Sequence, residues 1–263
     1  MQRRYWLVPI RVLALVIWLI IMPLLFLLLR ALRVPGHTEL VHVFHAGMCR
    51  IFSIRVHEQG KVTDASPALY VSNHISYLDI IVLGQLRSYF IAKSEVSSWP
   101  VFGQLAQFQN TLFIERKAGQ AKQQTQVMQS HLRVGKRLTL FAEGTSTNGA
   151  EVVPFKSSLF AAAQLGDSGP RVAIQPITVA YVRHAGEPMT QTQRDHYAWY
   201  ATMPFGGHFA GLFALKNVDV IIHFHPVCYL DEFDSRKECA DHCQAVIATS
   251  LQDLLRKAGT PRS

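Results

Sequence analysis

The longest apolar run in the chain, residues 12–29 (VLALVIWLIIMPLLFLLL), carries no charge and is hydrophobic on every side. As a helix it extends about 27 Å, close to the ~30 Å of a bilayer's hydrocarbon core. Arg3, Arg4 and Arg11 precede it, and Arg30 and Arg33 follow. Basic residues on both sides assign no orientation, while Tyr5 and Trp6 suit an interface. No small-residue cleavage site follows the run, which favours a retained anchor over a removed signal. Its length fits a spanning helix; Pro23 fits equally a helix bent into one leaflet.

Pro35-Gly36 ends this segment. Residues 37–52 place Leu40, Val43, Phe44, Met48 and Ile51 near helical spacing, predicting a second helix. Residues 53–60 read as a strand and turn. Apolar strand patterns then recur at 68–73, 88–93, 111–116, 137–143, 172–182 and 218–227. Helices are expected within 77–85, 98–108, 118–133, 156–165 and 235–257. This alternation predicts an α/β fold with a largely parallel or mixed central sheet flanked by helices, behind an N-terminal membrane-anchoring helix. The division expected is an anchor over 1–36 and a catalytic domain over 37–263. Residues 183–217 break the pattern, with six glycines and prolines among Tyr197, Trp199, Tyr200, Phe205, Phe209 and Phe213. Such an insertion either covers a site, touches lipid or packs over the core.

Composition narrows the partners. The chain has 263 residues, a charged fraction of 17% and a net charge of +8, which suits anionic partners. No arginine-rich run, zinc-finger spacing or RNP-like motif accompanies the charge, so nucleic acid is not expected as a partner. Four unevenly spread cysteines (Cys49, Cys228, Cys239 and Cys243) indicate a reducing compartment rather than a disulfide scaffold. Cys239 and Cys243, with His242 between them, read as ordinary helix positions because no second ligand pair matches them. No metal is expected.

The chemistry concentrates in NHISYLD, residues 73–79. Asp79 follows His74 after four residues. Two roles fit it. In one, Ser76 caps a helix with Asp79 at its third position, and the carboxylate merely stabilises the helix start. In the other, Asp79 accepts the Nδ1 proton of His74 and leaves Nε2 free to deprotonate a hydroxyl. Arg116 and Lys117 read either as solvated strand-end charges or as an anion site; Glu143 and Gly144 read as a turn as readily as a binding loop. Lys93 and Lys156 read as solvated.

NHISYLD resembles the NHxxxxD block of the glycerolipid acyltransferase superfamily, which includes the 1-acyl-glycerol-3-phosphate and lysophospholipid acyltransferases. FIER at 113–116, FAEGT at 141–145 with PFK at 154–156, and VAIQPITVAY at 172–181 resemble its further blocks in order. The resemblance spans roughly residues 50–185 and implies the following roles. His74 is the general base for the acceptor hydroxyl, with Asp79 its partner and Asn73 beside them at the substrate. Arg116 binds the acceptor's anionic headgroup. Glu143, Gly144 and Thr145 position the acceptor, and Pro176 shapes a channel. The hydroxyl attacks an acyl-CoA or acyl-carrier-protein thioester directly, with no cofactor. Two positions depart from the pattern: Ala142 replaces the usual proline, and Ser146 stands where arginine commonly follows the threonine.

The expected reaction is O-acylation of a lysolipid. 1-Acyl-glycerol-3-phosphate ranks first as acceptor, with a lysophospholipid or lyso-ornithine lipid as the alternative that Ser146 leaves open. Acceptor and product are amphiphiles that remain in a bilayer, and the thioester is made in the cytosol, so a bacterial inner membrane with a cytoplasmic active site is expected. Other classes weighed are a serine-dependent lipid hydrolase, disfavoured because no G-x-S-x-G elbow is present, and a non-catalytic lipid-binding protein.

Overall fold

The alternating strands assemble into one eight-stranded sheet in this computed structural model, which describes residues 4–99, 102–109, 111–114, 119, 121–166 and 168–259. In chain order the strands are β1 (Ile54–Gln59), β2 (Ala68–Ser72), β3 (Tyr89–Lys93), β4 (Leu112–Ile114), β5 (Arg137–Phe141), β6 (Ala173–His184), β7 (Glu187–Pro188) and β8 (Val218–Phe224). Their order across the sheet is β1-β8-β6-β2-β5-β3-β4, with β7 paired to β6. Every pairing is parallel except β6 with β8 and β6 with β7. β2 is buried along its whole length, and β6 at all but one residue. Strands covered on both faces need continuous apolar sequence, which is why these segments show little alternation.

Helices cover both faces. α3 (Leu78–Leu83) lies on one face with α2 (Leu40–Ile51). α5 (Ala121–Arg133) and α8 (Arg236–Gly259) contribute Met128, Leu132, Ile247 and Leu251 to the core on the other. The segment expected as a helix over 156–165 is a 3₁₀ stretch, Ser157–Ala163. That winding stacks Phe160 and Ala163 in one line toward the core. α4 (Phe102–Phe108) is shorter than its segment, and the irregular insertion holds two short helices, α6 (Gln191–Arg194) and α7 (Phe205–Leu212).

The apolar N-terminal run forms α1 (Leu7–Ala31), with Pro23 inside it. It is the one helix among the described residues that is long and apolar enough to cross a membrane. Its buried residues, Arg11, Leu15, Met22 and Phe26, fall on a single stripe. Ile10, Leu13, Ile17, Ile20, Ile21, Leu24 and Leu28 remain exposed on the rest of its surface. The stripe is held firmly. Trp18 lies against Gly47 of α2, where an added Cβ would come within 2.1 Å of the indole, and its Nε1 donates to the Phe44 carbonyl at 3.1 Å. Buried Arg11 donates to the carbonyls of Phe213 and Leu215 at 3.0 and 2.6 Å and to Ser53 Oγ at 2.7 Å. The anchor expected over 1–36 is thus packed onto the rest of the fold.

Candidate active site

The carboxyl ends of β2 and β5 lie side by side, because Ser72 pairs with Phe141 in a parallel register. The loops leaving them therefore meet, as ligand-binding loops do in open α/β sheets. One carries His74 and the other carries Glu143, Gly144 and Thr145.

His74 Nδ1 donates to Asp79 Oδ2 at 2.9 Å, fixing the tautomer that leaves Nε2 free as an acceptor. The Asp79 side chain is fully buried, whereas that of His74 is 20% exposed. Asp79 Oδ2 also accepts the backbone N–H groups of Ile75 at 2.7 Å and Ser76 at 3.0 Å, and Oδ1 accepts the Tyr181 hydroxyl at 2.9 Å. A buried carboxylate with this many donors is compensated as an anion. Asp79 thus orients His74 and ties down two N–H groups of the loop before the helix, rather than capping the helix from its third position. The helix starts slightly later than expected, at Leu78, whose N–H lies 3.3 Å from Ser76 Oγ.

Glu143 does not reach outward. It is 3% exposed, its Oε1 accepting the His74 N–H at 2.6 Å and its Oε2 the Val153 N–H at 3.0 Å. Burial pushes its carboxyl up to about 7, against the opposing effect of those two donors. Glu143 thus fixes the backbone of the His74 loop. Gly144 has φ +70°, and a Cβ there would come within 2.4 Å of Lys156 Nζ, so the glycine makes room for an ammonium at the mouth of the site. Thr145 is exposed beside it. Lys156, read as solvated from the sequence, is exposed but lies against this loop.

His74, Gly144 and Thr145 open onto an apolar cavity of about 570 Å³. α1 contributes Met22, Pro23 and Phe26 to its wall; α2 contributes Phe44 and Met48. Trp99, Trp199 and Phe205 close other sides. The insertion is therefore part of the site, tied to it by Trp199 N–H donating to the Ile75 carbonyl at 3.0 Å and Ser146 Oγ–H to the Trp199 carbonyl at 2.6 Å.

Two further expected site residues are placed away from the cavity. Asn73 is 1% exposed, and its amide pairs with both backbone groups of Val179, donating at 3.0 Å and accepting at 2.8 Å. It locks the His74 loop to β6 and does not line the cavity. Pro176 is buried within β6, opposite Val71 of β2, and its carbonyl accepts the His225 N–H at 3.0 Å. It too is absent from the cavity wall. Arg116 lies outside the described residues.

Two residues of the site escaped the sequence reading. Phe141 stacks on the His74 ring, and Tyr181 completes the Asp79 shell. Both stand within segments already identified, FAEGT and VAIQPITVAY. The available signal was position: Phe141 ends a strand beside the histidine's strand, and Tyr181 is a polar-tipped residue inside an apolar run, where a buried hydroxyl requires a partner.

The chain is similar to proteins of one known family. A model of the family described as Acyltransferase matches residues 53–180. The lyso-ornithine lipid O-acyltransferase of Brucella abortus (strain 2308) is 37% identical over 224 residues, covering 82% of this chain and 83% of that protein. That of Rhodobacter capsulatus is 34% identical, covering 82% of this chain and 78% of its own. A 1-acyl-sn-glycerol-3-phosphate acyltransferase of Neisseria gonorrhoeae is 34% identical over 132 residues, 49% of each chain. The crystal structure of the 1-acyl-sn-glycerophosphate acyltransferase PlsC from Thermotoga maritima shares the fold, with a TM-score of 0.71, 18% identity, and coverage of 98% of this chain and 97% of that one. The family model, together with relatives more than 30% identical over about four fifths of the chain, places the protein in the acyltransferase family that holds the lyso-ornithine lipid and 1-acyl-sn-glycerol-3-phosphate acyltransferases.

Proposed function

We propose that this acyltransferase transfers a fatty acyl group from acyl-carrier protein or acyl-CoA to the free hydroxyl of a lyso-ornithine lipid. The carrying observation for the chemistry is the Nδ1–Asp79 hydrogen bond, which leaves Nε2 unused by that contact on a residue that lines the cavity. Nε2 takes the proton of the acceptor hydroxyl as its oxygen attacks the thioester carbonyl. The carbon–oxygen bond forms, the carbon–sulfur bond breaks, and the departing thiolate recovers the proton from the imidazolium. Asp79 orients the ring and stabilises the transient cation. No serine nucleophile enters. The apolar cavity suits the acyl chain, whose burial is favoured by ~0.8 kcal/mol per CH₂.

The choice of acceptor rests on two observations. By sequence, relatives bearing the lyso-ornithine name match across most of the chain, whereas the Neisseria glycerol-phosphate relative matches half of it. Ser146, with its hydroxyl held by Trp199, stands where an arginine commonly serves a doubly charged phosphate. The second reading, 1-acyl-glycerol-3-phosphate, is favoured by Lys156 at the mouth. The exposed apolar surface of α1 supports seating at a membrane, with the site on the cytoplasmic side of a bacterial inner membrane where thioesters are supplied. Purified enzyme in lipid nanodiscs, given labelled acyl-carrier protein and acyl-CoA with lyso-ornithine lipid and lysophosphatidate in competition, tests this reading by product mass. Ornithine lipid is the expected main product, and a folded His74→Ala enzyme should form none. Phosphatidic acid as the sole product would move the assignment to the second reading.

A further inference from the structure

The face of the sheet opposite the cavity holds a cluster that the acyl-transfer chemistry does not use. Cys239 and Cys243 sit one turn apart near the start of α8. Cys228 arrives from the segment after β8, fixed by a two-way backbone pairing in which Cys228 N–H donates to the Ile174 carbonyl at 2.9 Å and Ile174 N–H donates to the Cys228 carbonyl at 2.9 Å. Sequence spacing offered only the helical pair; the fold supplies the third sulfur. All three Sγ atoms lie within 4.8 Å of one another, and the three residues are 7%, 0% and 0% exposed.

We propose that Cys228, Cys239 and Cys243 form a three-thiolate site for a thiophilic d¹⁰ metal ion, Zn(II) or Cu(I). Metal–sulfur bonds of about 2.3 Å require sulfurs about 3.8–4.0 Å apart. Small side-chain rotations therefore bring this triad onto one ion. Thiolate ligands select soft ions over Mg²⁺ or Ca²⁺, and a reducing compartment keeps the sulfurs available. Three buried cysteines also pack well as small apolar residues. Packing alone, however, does not require the sulfurs of two separate segments to converge on one point. The cluster joins the segment after β8 to the first turns of α8, so a bound ion would clamp these two parts of the chain.

The test uses the full chain, purified in detergent with reductant and stripped of metal by chelation. One portion is titrated with Zn(II) against a chromophoric indicator, and another with Cu(I) against bicinchoninate. One equivalent of one ion should bind, with a near-ultraviolet thiolate-to-metal charge-transfer band on Cu(I) or on Co(II) used as a zinc surrogate. A mercurial should release the ion, and Cys239→Ala and Cys243→Ala should each lower affinity at least tenfold. The spectroscopic reading needs only the unmodified chain, so a misfolded variant does not blunt the test. Absence of stoichiometric binding in both arms, binding without a thiolate band, or unchanged affinity in folded cysteine variants would overturn the proposal.

Discussion

The His74 imidazole lies flat on the phenyl ring of Phe141, with centroids 4.0 Å apart and planes inclined by 17°. Asp79 fixes the histidine by its edge, and Phe141 fixes it by its face. The imidazole is thus held in two directions, the preorganisation that its proposed role as general base requires.

Phe141→Leu keeps an apolar residue but removes the flat support. We expect kcat to fall about 10- to 100-fold, the cost typical of a small misplacement of a reacting group. KM for the acceptor should change less. Steady-state kinetics beside a circular dichroism melt would separate this from unfolding. An unchanged kcat would show that the stacking has no positioning role.

Asp79→Asn keeps the shape of the carboxylate but can present an N–H to His74 and select the other tautomer. The expected loss in kcat is on the order of 10³- to 10⁴-fold, as for equivalent changes in histidine–carboxylate pairs. Tyr181→Phe removes one donor from the same carboxylate. It should lower stability by about 1.5–3 kcal/mol, the range for a hydrogen bond to a charged group, with a milder effect on turnover. Denaturant unfolding and single-turnover rates would report the two effects separately.

Glu143 gives the fold a pH dependence of defined sign. Its carboxyl titrates at about 7 in the folded chain against an ordinary 4.5, because it is buried. Between these values the folded state binds more protons than the unfolded state. Its contribution is therefore most favourable below pH 4.5 and is lost as pH rises through 7, amounting to on the order of 3 kcal/mol. Glu143→Gln should flatten this part of the stability–pH curve. It should also lower activity, since an amide offers one acceptor where the His74 and Val153 N–H groups require two. Thermal melts from pH 4.5 to 8 on both proteins would check it; parallel curves would remove Glu143 as the source.

Arg11 holds the start of α1 through two carbonyls and a serine. Arg11→Met should leave those carbonyls unpaired and destabilise the docked helix by about 1–3 kcal/mol. Hydrogen exchange should rise in α1 and at residues 213–215. Equal exchange in both proteins would place the docking energy elsewhere.

The histidine–aspartate pair was legible because both residues lie in one short segment, where chain geometry alone brings them together. The strand alternation was legible because buried parallel strands leave apolar runs between helical patterns. What sequence could not give was whatever depended on register across the sheet. Tyr181 reaches Asp79 only because β6 runs beside β2, and Cys228 meets Cys239 only because the chain folds back over α8. Side-chain direction was equally hidden. Asn73 adjoins His74 in sequence, yet its amide turns to Val179. Glu143, expected at the acceptor, turns back to support the histidine loop. The N-terminal helix read as a separate anchor because hydrophobicity records its lipid-like surface but not the stripe through which it docks.

Met22, Pro23 and Phe26 make that same helix a wall of the cavity. With α1 seated in a bilayer as proposed, a change in its tilt to match a thicker or thinner membrane would also alter the width and depth of the space for the hydrocarbon tail. On that proposal the mechanical state of the surrounding lipid becomes an input to chain selection, and the product would feed back on the medium that sets the preference.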